Sequence, residues 1–268
     1  MNVIYKLKPD ELAPINMRVN YSKTIARPSI RELSDVALLD YEFREFVFGN
    51  SNLKPVEINN YDLRVESYFQ SGDNVSASLF YKQFKNHIEM VKSVGLTWEN
   101  VDKSYVAGIE LEGKKALMRN LDLAANVTLI ISETKFVRNR LELADGVRKY
   151  YPIDTITRTM SGQSPYVLNG ILSYHADSLG LVMTVSYNVQ GPRLVITSAN
   201  PAIPDIYEMP RHVLGAKVEK KFGKHFHASL TVRNILNSPI TRSYKSWDVK
   251  YDEYHYGTSY VLGINYNL

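Results

Sequence analysis

Apolar and polar residues alternate along most of the chain, most sharply between Asn59 and Phe84. There Tyr61, Leu63, Val65 and Phe69 alternate with Asn60, Asp62, Arg64 and Glu66. After a Gln70-Ser71-Gly72-Asp73-Asn74 break, Val75, Ala77, Leu79 and Tyr81 alternate with Ser76, Ser78 and Lys82. Side chains of a strand point to opposite faces with period two, so this stretch predicts two strands about a tight turn. Gly, Asp and Asn in the break tolerate the positive φ that such turns need. Charge on the polar face is equally compatible with a soluble sandwich, so the hairpin alone does not decide the class.

The pattern recurs. Val3, Tyr5 and Leu7 share a face of Asn2–Leu7, and Ile15, Met17, Val19 and Tyr21 share the next. A long polar connection from Thr24 to about Ile58 precedes the hairpin, and residues 85 to about 103 form a second. Tyr105, Ala107, Ile109 and Leu111 resume the alternation, followed by Leu123, Ala125, Val127, Leu129 and Ile131. A loop of roughly 30 residues, Glu133 to Pro165, leads to Leu168, Leu172 and Tyr174. Leu181, Met183, Val185 and Tyr187 follow a tight turn, and the connection from Gln190 to about Arg211 carries Pro192, Pro201, Pro204 and Pro210. Leu214, Ala216, Val218 and Phe222, then Phe226, Ala228, Leu230 and Val232, and finally Tyr260, Leu262, Ile264, Tyr266 and Leu268 complete the set.

This predicts about eleven strands of about 8 to 12 residues, the length that crosses a bilayer at a tilt. Short and long connections alternate strictly. A sandwich has irregular turns at both ends, whereas a transmembrane barrel puts short turns on one side and long loops on the other. The rhythm predicts an all-β, antiparallel transmembrane β-barrel. Leu63, Leu79, Leu129, Val185 and Leu230 then face lipid, while Arg64, Glu110, Ser186 and Arg233 face inward.

Composition adds three points. The 19 tyrosines among 268 residues suit the boundary between apolar and wet surroundings. A net charge of +4 and the lack of a long basic run make no case for nucleic acid. With no cysteine, disulfides and thiolate metal sites are excluded. No apolar run reaches the roughly 18 to 20 residues of a membrane-spanning helix, and MNVIYKLKPDELAP lacks the basic and apolar regions of an export signal.

Several stretches carry a family resemblance: ARPSIREL at Ala26 to Leu33, GNSNLKP at Gly49 to Pro55, NNYDLRVE at Asn59 to Glu66 and FYKQFKNHIE at Phe80 to Glu89. YVAGIELEGKK at Tyr105 to Lys115, GQSPYVLN at Gly162 to Asn169, YNVQGPR at Tyr187 to Arg193, IPDIYEMPR at Ile203 to Arg211 and VRNILN at Val232 to Asn237 continue the series. In order and spacing they resemble the C-terminal barrel half of TonB-dependent outer-membrane receptors of the kind common in Bacteroidetes. The resemblance implies part of a 22-stranded barrel in the outer membrane of a Gram-negative bacterium. It also implies active uptake of a scarce nutrient: a ferric siderophore, vitamin, oligosaccharide or peptide. The implied partners are outer-membrane lipid, an N-terminal barrel half and plug, the TonB complex acting through that part, and the barrel-assembly machinery. The chain matches neither plug nor TonB-contacting segment. An odd strand count, with a first strand running toward the short-turn side, leads to the same expectation, that residues 1–268 are the second half of a larger barrel. The C-terminal strand resembles an assembly signal in which Leu268 stands for the usual Phe.

No catalytic set emerges. The chain has no Walker loop, dinucleotide fingerprint or Gly-x-Ser-x-Gly elbow. The six histidines are scattered; His225 and His227 share a face, with a solvated turn as the plainer reading than a metal site. No cofactor is expected. Asp62, Arg64, Glu66, Glu110, Glu112, Lys217, Glu219 and Arg233 are the lumen-facing charges, and they either line a substrate path or pair across strands to hydrate the wall. Tyr150, Tyr151, Trp247, Tyr251, Tyr254 and Tyr256 are the ligand-contact candidates, or belong to an outer aromatic girdle. A passive porin or structural barrel is the alternative function, and an outer-membrane hydrolase a further one, for which no clustered Ser/His/Asp set is present.

Overall fold

The computed structural model describes residues 1–8, 13–92, 95–144 and 147–266; the side chains of residues 139–150 lie outside the description. Eleven strands form one antiparallel wall in chain order. These are β1 (Asn2–Lys8), β2 (Ile15–Ala26), β5 (Val56–Tyr68), β6 (Asn74–Lys92), β7 (Leu96–Met118), β8 (Leu121–Ala144), β10 (Tyr166–Ala176), β11 (Leu181–Gln190), β14 (Arg211–Phe222), β15 (Phe226–Arg233) and β18 (Ser259–Tyr266). Seven further strands lie in the long connections: β3 (Leu38–Asp40), β4 (Glu45–Phe48), β9 (Val147–Arg158), β12 (Arg193–Ser198), β13 (Ile206–Glu208), β16 (Ile240–Tyr244) and β17 (Val249–Tyr254). Among the described residues no ladder pairs the far edge of β1 or of β18, so the sheet is open.

The short turns lie at one end of the wall. Gly72, Gly180 and Gly223 take φ of 85°, 59° and 65° there, values that L side chains rarely adopt. The face assignments follow from the register. Tyr61 pairs Tyr21 and Tyr81, and the rings of Tyr21, Tyr61, Tyr81 and Tyr105 stand 5.1, 6.2 and 6.1 Å apart in a stepped row. Tyr166, Tyr187 and Tyr260 continue that row on β10, β11 and β18 by alternation. Nearer the short turns the same face carries Phe69, Tyr174, Tyr266 and the paired rings of Phe222 and Phe226. From Tyr61 to Phe69 the chain runs roughly 26 Å at a strand's rise, or about 20 Å across the membrane at a tilt near 40°. Between the two aromatic rows the face is apolar and bare: Leu79, Leu111 and Leu230 are 50%, 53% and 44% exposed. A whole apolar face left open in this way is covered by lipid, with the aromatic rows at its two boundaries.

Two expectations need correction. The stretches 85–103 and 133–165 are not irregular loops. β6, β7 and β8 run 19, 23 and 24 residues, far beyond the expected length, as twisted hairpins projecting past the membrane. Alternation persists there, but the covered positions include polar residues. Beyond Asn86, whose φ is 57°, the buried positions are His87, Glu89 and Val91. An apolar-out pattern stops at that point although the strand continues. Leu129, exposed on the expected face, pairs Tyr166 and so lies next to the tyrosine row. Leu268 lies outside the described residues.

The long connections build a second, smaller core above the wall. β12 pairs β6 in parallel through Thr197 and Val91, and β4 pairs β7 through Val47 and Leu96. β12, β13, β16 and β17 follow as antiparallel neighbours. Val47, Leu96, Ile196 and Ile206 are buried together under Phe43, Trp98, Tyr244 and Tyr251. Four connections thus share one apolar interior, which fixes their tips relative to one another.

Candidate ligand site at the loop end of the wall

The motif residues act mainly as pins for these connections. Ser29 and Glu32 form a reciprocal capping box on the short helix α1 (Ile30–Leu33). The Asn50 amide donates to the Trp98 carbonyl at 2.9 Å, and Asn100 accepts from the Lys54 backbone N–H at 2.7 Å. Asn234, at φ 52° and buried, accepts from the Ser238 N–H at 3.0 Å and donates to the Gly257 carbonyl at 3.0 Å.

With the tips held, a concavity of about 320 Å³ opens at the loop end of β11 and β14. By register it lies on the face of Ser186 and Lys217, opposite the lipid-facing row. Asn188, Gln190, Arg193, Glu208 and Arg211 line it from the wall and its first loop residues. Glu42, Tyr254 and Tyr256 reach it from two other connections. The Arg211 guanidinium stands 5.5 Å from the Tyr256 ring, and Tyr254 meets Tyr256 edge-on at 5.3 Å. Arg193 donates to Glu208 at 2.9 Å. The Nε atoms of Arg193 and Arg211 are buried without a hydrogen-bond partner, an unsatisfied state that a polar ligand or water relieves. The back of the site is fixed by Arg242, only 3% exposed. It pairs with Glu42 and with Asp252 at 3.0 Å and lies 4.5 Å over the Phe43 ring. Burial, only partly offset by Arg242, holds the Asp252 carboxyl above the usual carboxylate range.

The expected site residues fall into three groups. Tyr254 and Tyr256 line the concavity. Tyr251 is instead half-buried, its single hydroxyl proton shared between Glu45 at 2.9 Å and the Phe43 carbonyl at 3.1 Å. Burial and then the Glu45 hydrogen bond raise its phenol above the ordinary range. Trp247 is exposed, 5.1 Å from the Tyr244 ring, and Tyr151 is exposed on β9. The side chain of Tyr150 lies outside the described residues.

The lumen-facing charges form the second group, and most are paired. Glu66, 4% exposed, accepts from Arg18 at 2.6 Å and from Arg64 at 3.0 Å. Arg64 also donates to Glu112 at 2.7 Å. Asp62 accepts from Asn20 at 3.1 Å, and Lys217 pairs Glu219 at 2.7 Å. Glu110 stands across from Ser78 and Thr128, and Arg233 is exposed opposite Ser259. Among the described residues no group of three or more His, Cys, Asp or Glu is placed to hold a metal; His225 lies 6.0 Å from the Tyr266 ring at the short-turn end.

The third group is one that alternation does not single out: Arg193, Arg242 and Glu42 sit in the connections, and Arg211 opens β14 ahead of its apolar alternation. A signal was present nonetheless: Arg193 and Arg211 each follow a proline inside a motif that carries the family resemblance.

A buried cluster ties the hairpins together nearby. Glu89 is fully buried and pairs with Arg158, which donates to Thr197 at 2.7 Å and lies 5.0 Å over the Phe136 ring. His87, two residues past Lys85 and clear of the membrane, stands 3.4 Å from Glu89. Burial chiefly, opposed by Glu89 and aided by Arg158, pushes its imidazole below the usual value of 6.5. A histidine depressed in the folded state contributes stability that is complete above about pH 6.5 and is lost as pH falls through its folded value. Protection factors of β6 and β9 amides, taken relative to the intrinsic exchange rate at each pH, are therefore expected to fall on acidification below pH 6.5. His87→Gln should flatten the response, and an unchanged profile in the variant would locate the pH sensitivity elsewhere.

An open antiparallel wall with two aromatic rows, short turns at one end and a folded loop layer at the other is the architecture of an outer-membrane barrel. The chain belongs to the TonB-dependent receptor-like β-barrel family, whose family model matches residues 2–235. It is similar in structure to the ferric enterobactin receptor PfeA from Pseudomonas aeruginosa, with a TM-score of 0.61 at 14% identity over 99% of this chain and 40% of that one. The siderophore receptor PirA from the same organism gives 0.57 at 17% over 100% and 39%. PiuA from Acinetobacter baumannii, also a siderophore receptor, gives 0.61 at 15% over 99% and 35%. The chain thus spans 35 to 40% of the length of these structures. No curated protein matches it. Members of this family reside in the outer membrane of Gram-negative bacteria, and so does this wall.

Proposed function

We propose that the chain is the C-terminal part of a 22-stranded receptor that takes up a scarce nutrient with energy from the TonB complex, and that a ferric siderophore is the ligand class. The open edges of β1 and β18 support the larger barrel. Each carries a row of N–H and C=O groups, and every such group left unpaired in lipid costs several kcal/mol. The missing half-barrel and a plug would close the wall, insertion would rest on the barrel-assembly machinery, and TonB would act through the plug side. The ligand class rests on one observation, a concavity at the loop end lined both by two arginines with unsatisfied Nε atoms and by the Tyr254–Tyr256 ring pair, with Arg211 over Tyr256. Guanidinium over aromatic rings suits an anionic, aromatic or carboxylate-bearing chelate.

Arg211→Ala in the complete receptor is expected to weaken binding of the cognate ferric chelate by roughly 10- to 100-fold, since hydrogen bonds to charged groups contribute about 1.5 to 3 kcal/mol. Iron uptake from that chelate by cells expressing the variant is the measurement. Uptake equal to wild type with every chelate tested would remove this site from the pathway, and uptake that persists without TonB would favour a passive pore.

A further inference from the structure

We infer that the lipid-facing surface of β6, β7 and β8 carries a binding site for the phosphate groups of an outer-leaflet glycolipid, built from Lys85, Lys103 and Lys135 above Tyr81 and Tyr105. The first observation is position. All five side chains belong to the outward set by alternation, and the lysines lie two to four residues beyond the tyrosine row on the loop side. At a strand's rise this is roughly 7 to 13 Å along the chain, which is headgroup depth.

The second observation is an electrostatic mismatch. Lys85 and Lys103 are directly opposed across the β6–β7 ladder. Lys135 is one step beyond the Ser104–Thr134 pair on the next strand, beside Lys103. Like charges directly opposed destabilise a sheet, and among the described residues none of the three has a carboxylate within salt-bridge distance. Two neighbouring cations at this end of the wall are matched: Lys23 pairs Glu57 at 2.9 Å and Arg138 pairs Asp154. Glu57 acts on Lys85 only at longer range, and Glu133 is engaged by the Tyr105 hydroxyl at 3.4 Å.

The third observation is shape. These residues line a concavity of about 440 Å³. It faces the bilayer, so the molecule that fills it is one the bilayer supplies. A phosphate monoester bridging Lys85, Lys103 and Lys135 offsets their repulsion, the tyrosine rings support the sugar, and acyl chains continue down the apolar face between the aromatic rows.

The test uses the complete receptor, purified from outer membranes in mild detergent, with three probes: bisphosphorylated lipid A, the same lipid enzymatically dephosphorylated, and inorganic phosphate. Wild-type protein is expected to bind the phosphorylated lipid on the order of 100-fold more tightly than the triple variant Lys85→Gln/Lys103→Gln/Lys135→Gln at low ionic strength. The gap should narrow as salt screens the charges. Lys217→Gln, on the opposite face, should bind as wild type does. Equal binding of the dephosphorylated lipid by wild-type protein would overturn the inference without recourse to any variant. So would equal affinity of wild type and triple variant, and so would displacement of the lipid by inorganic phosphate at comparable concentration, which would mark a free-anion site.

Discussion

Arg158→Met is expected to destabilise the loop layer by about 3 to 5 kcal/mol, the cost of leaving a buried ion-pair partner without its counter-charge. Glu89, with no exposed side-chain surface, would keep the Ser161 N–H at 3.0 Å but lose both guanidinium contacts. Three connections meet at this point: the β6–β7 hairpin through Glu89, the β8–β9 hairpin through Arg158, and the β12 segment through Thr197. Loosening should therefore appear in all three together. Limited proteolysis of the complete receptor should cut within 85–103, 133–165 and 191–210 at rates raised by orders of magnitude, while the membrane wall stays resistant. The double variant Glu89→Leu/Arg158→Met removes both charges and should regain most or all of the loss, because a well-packed apolar pair often equals or exceeds a buried ion pair. If the single variant is as protected as wild type, the loop layer does not depend on this pair. If the double variant is no better than the single one, packing against Phe136 rather than charge is what Arg158 supplies.

The wall was legible in the sequence and the loop layer was not, for a physical reason. A lipid-facing strand has to present an apolar residue at every second position, and Tyr61, Leu63 and Val65 or Leu181, Met183 and Val185 show this without reference to any neighbour. The faces and the count of about eleven strands follow from it, while the pairing register does not. Beyond the tyrosine row that constraint lapses. β6 continues through His87, Glu89 and Val91 because Arg158, Thr197 and Val101 cover them, contacts between residues far apart in the chain. Local alternation holds no record of such contacts. The same limit applies to the candidate site: Tyr254 and Tyr256 stand out by composition, while Glu42 and Arg242, which fix the back of the site across 200 residues, do not. The family motifs mark where the connections are pinned, and so gave the position of the loop layer without its shape.

Register also decides where a charge on the wall is costly. Val65 lies midway between Tyr61 and Phe69 on β5, and the ladder carries that level through Ala77 to Leu111 on β7. Leu111 is 53% exposed, pairs Val127 on its other side, and has no polar neighbour on its own face along β7 between Ile109 and Gly113. Leu111→Arg is therefore expected to cost about 2 to 4 kcal/mol in folding stability, the value for a cation at the bilayer midplane. Leu129→Arg should cost less, because its neighbour Tyr166 marks the boundary and a long side chain there reaches the headgroups. Thr128→Arg, one residue away but on the lumen face beside Glu110, should cost little. The order Leu111, then Leu129, then Thr128 is read from urea titrations of the complete receptor in phospholipid vesicles, followed by gel mobility of the heat-modifiable folded form. Equal costs at Leu111 and Thr128 would mean that the two faces of β7 and β8 are not divided between lipid and lumen, and the wall as built would be wrong in register by one residue.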